Sequence, residues 1–298
     1  MTTIKRIAMI GATGMLGIPV AIALMEAGFE VTALARNPAQ ARRALPAAIA
    51  VMQADVRDEE GLRAGLRGQH GLYLNLSVAA SERKGDFHTE AQGLQHILAA
   101  AREAGTARIA YLSALVHDAP DSRWWVLSVW RSALARIKAS GIPYTIFYPT
   151  NFMETLAERH NAGSLFVMLG RGHHRNYWIA GSDFGRQVAK AFALPQAENR
   201  EYFVQGPEPM TYDGAAVRYA RALHKSPLVV RVPLPLARLG GLFSRQLDFN
   251  ARIMQTVLRY PEEFKAGETW DQLGKPTITI EQFAELRGAP ATAPTGSA

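Results

Sequence analysis

Short, near-continuous apolar runs alternate with longer amphipathic stretches through the first half of the chain. Arg6–Ile10, Glu30–Ala35, Ile49–Ala54, Gly71–Leu76, Arg108–Ser113 and Ile142–Tyr148 read as strands apolar on both faces, the pattern of a parallel sheet covered by helices on each side. Between them, Ile18–Ala27 is an Ala-rich helix that Gly28 stops. Pro38 opens a helix that Asn37 can cap, Asp58–Leu66 starts on its own cap Asp58, Asp86–Ala104 is a long helix that Gly105 ends, and another spans about Ser122 to Ser140. Strand followed by helix, recurring from Ile4 to Tyr148, predicts an α/β fold with a doubly wound parallel sheet of the Rossmann type.

Beyond Phe152 the strict alternation is lost, which predicts a smaller C-terminal α+β substrate lobe. Tyr177–Ala180 reads as a short strand, Ser182 or Asp183 as the cap of a helix running to Leu194, and Arg200–Gln205 as a strand returning to the main sheet. Leu228–Val232 is a further strand, and Pro233 and Pro235 open a helix. Thr279 and Gln282 form a capping box for the last helix. The expected division is 1–150 for the nucleotide domain, with segments near 177–205 returning to it, 151–288 for the substrate lobe, and 289–298 for a disordered Ala, Pro and Thr-rich tail.

Composition narrows the function classes. With 48% hydrophobic and 20% charged residues among 298, the chain can bury a large core. It has no cysteine, which excludes disulfides and thiolate catalysis and fits a cytoplasmic protein. The first strand begins too early to leave room for a signal peptide, and no run is long enough to span a membrane. The net charge of +7 is scattered rather than gathered on one face, so it favours an anionic cofactor over nucleic acid. Arg238, Arg245, Arg252 and Arg259 recur at seven-residue steps in Leu234–Tyr260. Asp248 and Gly240-Gly241 interrupt that row, so a helix pair with snorkelling arginines fits better than a basic face on a membrane. His173 and His174 have no carboxylate or thiol at ligand spacing, so no metal site is expected.

The candidate chemistry begins in the first turn. Gly11, Gly14 and Gly17 stand between the first strand and the first helix, where they allow a sharp turn, a close approach to a pyrophosphate and close packing of helix on sheet. The helix N-terminus then offers free amides to the phosphates. The second strand ends Ala33-Leu34-Ala35-Arg36, without the carboxylate that would hold an unphosphorylated ribose. Arg36 instead offers a two-pronged donor to a 2′-phosphate, so NADP(H) is the expected cofactor. Asn75, Leu76 and Ser77, at the carboxyl end of the fourth strand, are placed beside its ribose or phosphates.

The run Gly11-Ala12-Thr13-Gly14-Met15-Leu16-Gly17, with Arg36-Asn37-Pro38 after the second strand, resembles the NmrA-like group of atypical, extended-branch short-chain dehydrogenases/reductases. The resemblance implies a doubly wound sheet, NADP(H) or NAD(H) as cofactor, and either a quinone or carbonyl reductase or a non-catalytic redox sensor. It gives Thr13, Met15 and Leu16 to the cofactor loop. It makes Asp55 a partner of the adenine amino group, with Val56 packing on the ring, Ser113 the serine on the substrate side, and Pro149 to Glu154, including Phe152, a segment near the nicotinamide.

The same resemblance exposes departures. Its members carry Tyr and, four residues on, Lys at the start of the helix after the fifth strand, and those positions fall here on Val126 and Trp130. Neither can transfer a proton. Tyr148 replaces an arginine, and with Tyr111 it is the best remaining proton donor, although a strand tyrosine also serves as packing. Ser113 and Tyr148 are therefore the catalytic candidates. Trp124, Trp125 and Trp130 either wall the substrate crevice or pack under the C-terminal lobe. A substrate needing a strong acid is disfavoured, whereas a quinone yields a resonance-stabilised anion that water can protonate. The expected function is NADPH-dependent hydride transfer to a quinone or similarly activated carbonyl, in a monomer or homodimer acting on a small molecule. The alternative is a non-catalytic NADP(H)-binding sensor.

Overall fold

Strands that are apolar on both sides need helices on both sides, and the computed structural model supplies them. It describes residues 3–114, 124–159, 161–162, 165–223, 226, 228–259 and 261–288. The expected tail 289–298, the first residues of the expected Ser122–Ser140 helix and Tyr260 lie outside these.

Seven parallel strands form the central sheet. They are β1 (Arg6–Ile10), β2 (Glu30–Ala35), β3 (Ala50–Gln53), β4 (Gly71–Leu74), β5 (Arg108–Leu112), β6 (Tyr144–Pro149) and β11 (Arg200–Val204), in the spatial order β11-β6-β5-β4-β1-β2-β3. The order reverses between β1 and β4, and at that point a doubly wound sheet opens a crevice at its carboxyl edge. Strand alternation sorts the core. Ile7 and Met9 point to one face and pack with α1 (Gly17–Glu26) and α7 (Gly181–Ala193), while Ala8 and Ile10 point to the other and pack with α3 (Glu59–Leu66), α4 (Leu94–Glu103) and α5 (Trp125–Lys138). α2 (Pro38–Ala44) joins the first face through Ala41, and Asn37 caps it by accepting from the Gln40 amide at 3.1 Å.

Two small sheets carry the rest. β7 (Asn151–Phe152), β10 (Asn176–Ile179) and β12 (Pro209–Met210) form one. β8 (Asn161–Ala162), β9 (Leu165–Leu169) and β13 (Leu228–Val232) form the other. They pack with α6 (Met153–Arg159), α8 (Tyr212–Ala222), α9 (Leu234–Gly240), α10 (Arg245–Arg259) and α12 (Ile280–Gly288), while α11 (Gly267–Leu273) returns to α7 and β11.

The structure corrects three local expectations. The stretch Asp86–Ala104 is not one α-helix. A π turn occupies Thr89–Gly93, with the Gly93 amide donating to the His88 carbonyl at 3.2 Å, and regular α4 follows. The strand expected at Ile49–Ala54 is confined to Ala50–Gln53 at the sheet edge. Neither Ser182 nor Asp183 caps α7. That helix starts after Ala180, and its first amide, Gly181, donates to both carboxylate oxygens of Glu154 at 2.9 and 3.0 Å. Asp183 is thereby free for a longer reach. It accepts from the amides of Thr277 and Ile278 at 3.1 and 2.9 Å and pairs with Arg186, which ties the C-terminal segment to α7. The capping box is as expected, with Thr279 and Gln282 bonding each other's backbone amides at 2.9 and 3.3 Å.

Because Asp183 is buried and serves two amides, Asp183→Ala strands both donors. The variant is expected to lose about 3 kcal/mol in urea denaturation, against less than about 1 kcal/mol for removing the exposed cap with Asn37→Ala. Equal losses for the two would show that Asp183 does not anchor the segment.

Candidate functional site

The crevice at the order reversal is built by contact between two backbones. Gly11 leaves β1 with φ +84°, and a Cβ there would lie 2.1 Å from the Asn75 carbonyl oxygen at the end of β4. Asn75 closes the contact by donating from its side-chain amide to the Gly11 carbonyl at 3.3 Å. Gly17 is equally constrained, since a Cβ there would sit 2.0 Å from the Gly11 oxygen. Gly14 differs. It is exposed, and its Cβ would meet nothing closer than the Gly11 oxygen at 3.4 Å, so the protein itself does not require glycine there. The open space above Gly14 is a cradle that a side chain would fill.

α1 begins at this cradle with no side-chain cap and no acidic residue in its first turn. The amides of Met15 and Leu16 have no acceptor among the described residues, and Thr13 is exposed beside them. This end of the helix is therefore electropositive and unsatisfied, which suits a diphosphate. At the carboxyl ends of β2 and β3, Arg36 is exposed and lines a depression of about 310 Å³ with Gln53, Ala54, Asp55 and Asp58. Asp55 accepts from the Arg57 amide at 2.9 Å through one oxygen, and Asp58 is occupied in capping α3. Val56 is half-buried, its carbonyl in contact with His96 at 2.9 Å. The residues present fit NADP(H): glycine cradle and free amides for the diphosphate, Arg36 for a 2′-phosphate, Asp55 for the adenine.

At the other end of the crevice the Ser113 hydroxyl is buried without a hydrogen-bond partner among the described residues. A polar atom in that state at the end of β5 has hydrogen-bonding capacity to offer. Other expected residues are spent internally. Tyr148 is 3% exposed and donates to Glu201 at 2.6 Å, near the start of β11, while Glu201 pairs with Lys138 at 2.7 Å. Strand alternation puts Tyr148 under α5 and not at the crevice. Phe152 is 5% exposed and meets Phe184 edge to face at 5.5 Å in the core, so its ring faces α7 rather than a ligand. Leu76 and Pro149 are buried, while Ser77 is exposed beside Asn75.

The helix α5, where the sequence has Val126 and Trp130 and no Tyr–Lys pair, is given over to packing. Val126 is fully buried, and Trp130 donates its indole N–H to Glu90 at 3.0 Å. Trp124 meets Trp130 and Phe249 of α10 edge to face at 6.2 and 5.0 Å, and Trp125 stacks on His88 at 4.7 Å. Packing under the C-terminal segment is thus what Trp124 does.

Glu90 was not singled out from the sequence. It lies in the π turn, 2% exposed, and its other oxygen accepts from the Tyr111 hydroxyl at 2.6 Å. Burial pushes its carboxyl up from the usual 4.5 to about 7, a rise opposed by donation from Tyr111, Trp130 and the Val78 backbone. Burial and this carboxylate together raise the Tyr111 phenol well above its usual range. A readable signal existed: Glu90, Gly93, Leu94 and Ile97 share one stripe of a helix, which puts a carboxylate on the buried face.

Residues 11–176 match a family model described as NAD(P)H-binding. The chain is 24% identical over 291 residues to an NAD(P)H azoreductase of Xenophilus azovorans, covering 95% of this chain and 98% of that one. It is 28% identical over 211 residues to Quinone oxidoreductase 2 of Escherichia coli, covering 69% and 70%. The crystal structure of the Citrobacter sp. triphenylmethane reductase complexed with NADP(H) superposes with a TM-score of 0.74 at 19% identity, over 95% of this chain and 100% of that one.

Two measurements test the geometry. Gly14→Ala is expected to keep the melting temperature, whereas Gly17→Ala, driven into the Gly11 carbonyl, is expected to lose several kcal/mol or fail to fold. The Glu90 carboxyl ionises less readily when folded than when unfolded, so folding stability should fall as pH rises from about 4.5 to about 7 and level off above. Glu90→Gln should flatten that slope in thermal melts taken across this window, and an unchanged slope would rule Glu90 out as its source.

Proposed function

Since the chain belongs to the NAD(P)H-binding family, we propose that it is an NADPH-dependent oxidoreductase of the NmrA-like kind, delivering hydride to a quinone or a similarly activated carbonyl. The observation that carries the reading is the combination of an open cradle at Gly14 with an exposed Arg36 where an NAD enzyme would place a carboxylate. The azoreductase and quinone oxidoreductase names borne by its relatives lie in the same reaction class. In this reading residues 1–150, with the returning strand near 200–204, hold the cofactor, and 151–288 close over the acceptor.

When bound, NADPH supplies the hydride. The loop amides of Met15 and Leu16 would hold the diphosphate, Arg36 would take the 2′-phosphate, and Asp55 would accept from the adenine amino group. The unpaired Ser113 hydroxyl donates to the acceptor oxygen and orients it. Among the described residues no strong acid is available beside it: Tyr111 serves Glu90, Tyr148 serves Glu201, and Val126 and Trp130 stand where a proton-donating pair would be. This favours an acceptor whose reduced form is a stabilised anion, protonated afterwards by water. A quinone meets that requirement and a simple ketone does not.

The missing pair also supports a second reading, in which the protein binds NADP(H) and reports its redox state without turnover. Assays separate the two. NADPH oxidation above background with a panel of quinones is expected, with a loss of about tenfold or more on Ser113→Ala. Tight NADPH binding without oxidation of any acceptor would select the sensor. In titrations, Arg36→Ala should weaken NADPH by roughly tenfold to a hundredfold and leave NADH unchanged; equal affinity of the wild type for both cofactors would reject the 2′-phosphate role.

A further inference from the structure

Four exposed large apolar side chains lie within eight residues of one another, outside the crevice. Phe243 is 92% exposed, Leu242 76%, Leu236 59% and Leu239 58%. Leu236, Leu239 and Leu242 follow one another at three-residue spacing along α9 and the turn after it, opposite the buried Ala237, so they share the outward side. The turn is well formed. The amides of Leu242, Phe243 and Ser244 donate back to Leu239 and Gly240 at 3.0 to 3.1 Å, and Gly241 packs against Asp248, so Leu242 and Phe243 are held outward by a satisfied backbone.

The surroundings are cationic. From Pro233 to Leu247 there is no acidic residue, and Arg238 and Arg245 are exposed. At the other end of the α9–α10 hairpin from this turn, Gly170 packs against Leu234 and Gly172 against Leu258, and Arg171, His173, His174 and Arg175 are exposed there. Asp248, which packs against the turn, is paired with Arg252. The seven-residue arginine row is thus no single face, since Arg252 is paired and Arg238 reaches Gln255. The docking element is the outward apolar side of α9 and its turn, with arginines toward both ends of the hairpin.

We propose that this turn docks the protein on an anionic lipid surface. An exposed apolar edge suits insertion among acyl chains, and arginines toward both of its ends suit anionic headgroups; a groove-forming partner would have to supply both the cavity and the negative charge. The site of docking is joined to the crevice. Arg245 donates to the Ser81 carbonyl at 3.0 Å in the segment after β4, and Phe249, six residues beyond Phe243, packs on Trp124. On the functional reading above, the attachment lets a lipophilic acceptor pass from the bilayer to the Ser113 end. The docking itself does not depend on that reading.

The test is co-sedimentation with vesicles of phosphatidylcholine alone and of phosphatidylcholine with an equal part of phosphatidylglycerol. Binding to the anionic vesicles only, weakened by salt, is expected. Leu242→Ser with Phe243→Ser should reduce it by at least about tenfold, and Arg171→Ser with Arg175→Ser should reduce it in low salt, while both keep the fold and NADPH affinity of the wild type. No binding to anionic vesicles, or binding indifferent to these substitutions, overturns the proposal. So does a dimer in light scattering that the Leu242 and Phe243 substitutions dissolve, because the turn then covers a second copy of the chain. Loss of NADPH binding in the wild type would sink the functional reading and leave the vesicle result standing.

Discussion

The approach of two backbones at the sheet's reversal point governs this molecule. Gly11 and Asn75 touch with no room for a Cβ, and Gly17 lies as close on the next turn of chain. Such proximity sets where α1 begins, how near it lies to the sheet, and which amides are left facing the crevice. Everything that the cradle does chemically is a consequence of atoms that are missing from three side chains.

The second half of the chain is tied together, and to the end of β6, through carboxylates used as acceptors. Glu154 holds the start of α7, Asp183 holds the segment at Thr277 and Ile278, and Glu262 accepts from Thr150 at 2.6 Å and Tyr177 at 3.0 Å while receiving Gln205 at 2.6 Å. Burial raises the Glu262 carboxyl, and its donors counter the rise. In each case a carboxylate far away in sequence satisfies amides or hydroxyls that regular structure leaves over. Small residues do the corresponding work between helices, where Gly181 and Gly185 of α7 let α1 come close at Pro19 and Ala23.

Beyond the end of β5, the π turn and α5 are given over to packing. Glu90 collects Tyr111 and Trp130, His88 binds Glu82 at 2.5 Å and stacks on Trp125, and Phe249 brings α10 onto Trp124. Aromatic packing thus links the start of α5 to α10.

The sequence by itself determined the sheet, its parallel sense and the nucleotide cradle, because these follow from local patterns: apolar runs, glycine spacing, Asn37 before Pro38, Arg36 in place of a carboxylate. It also disclosed that Val126 and Trp130 could not move a proton. The tertiary structure alone decided which polar groups remain free. Tyr148 and Phe152 sit at positions that matched a ligand segment, yet strand alternation and the covering helices turned both inward. Glu90 looked like one more helix carboxylate until a π turn delivered it to Tyr111 and Trp130, and Asp183 looked like a cap until residues ninety-odd positions later came to meet it. Hydrogen-bond partners across such distances are fixed by packing, which no local pattern records.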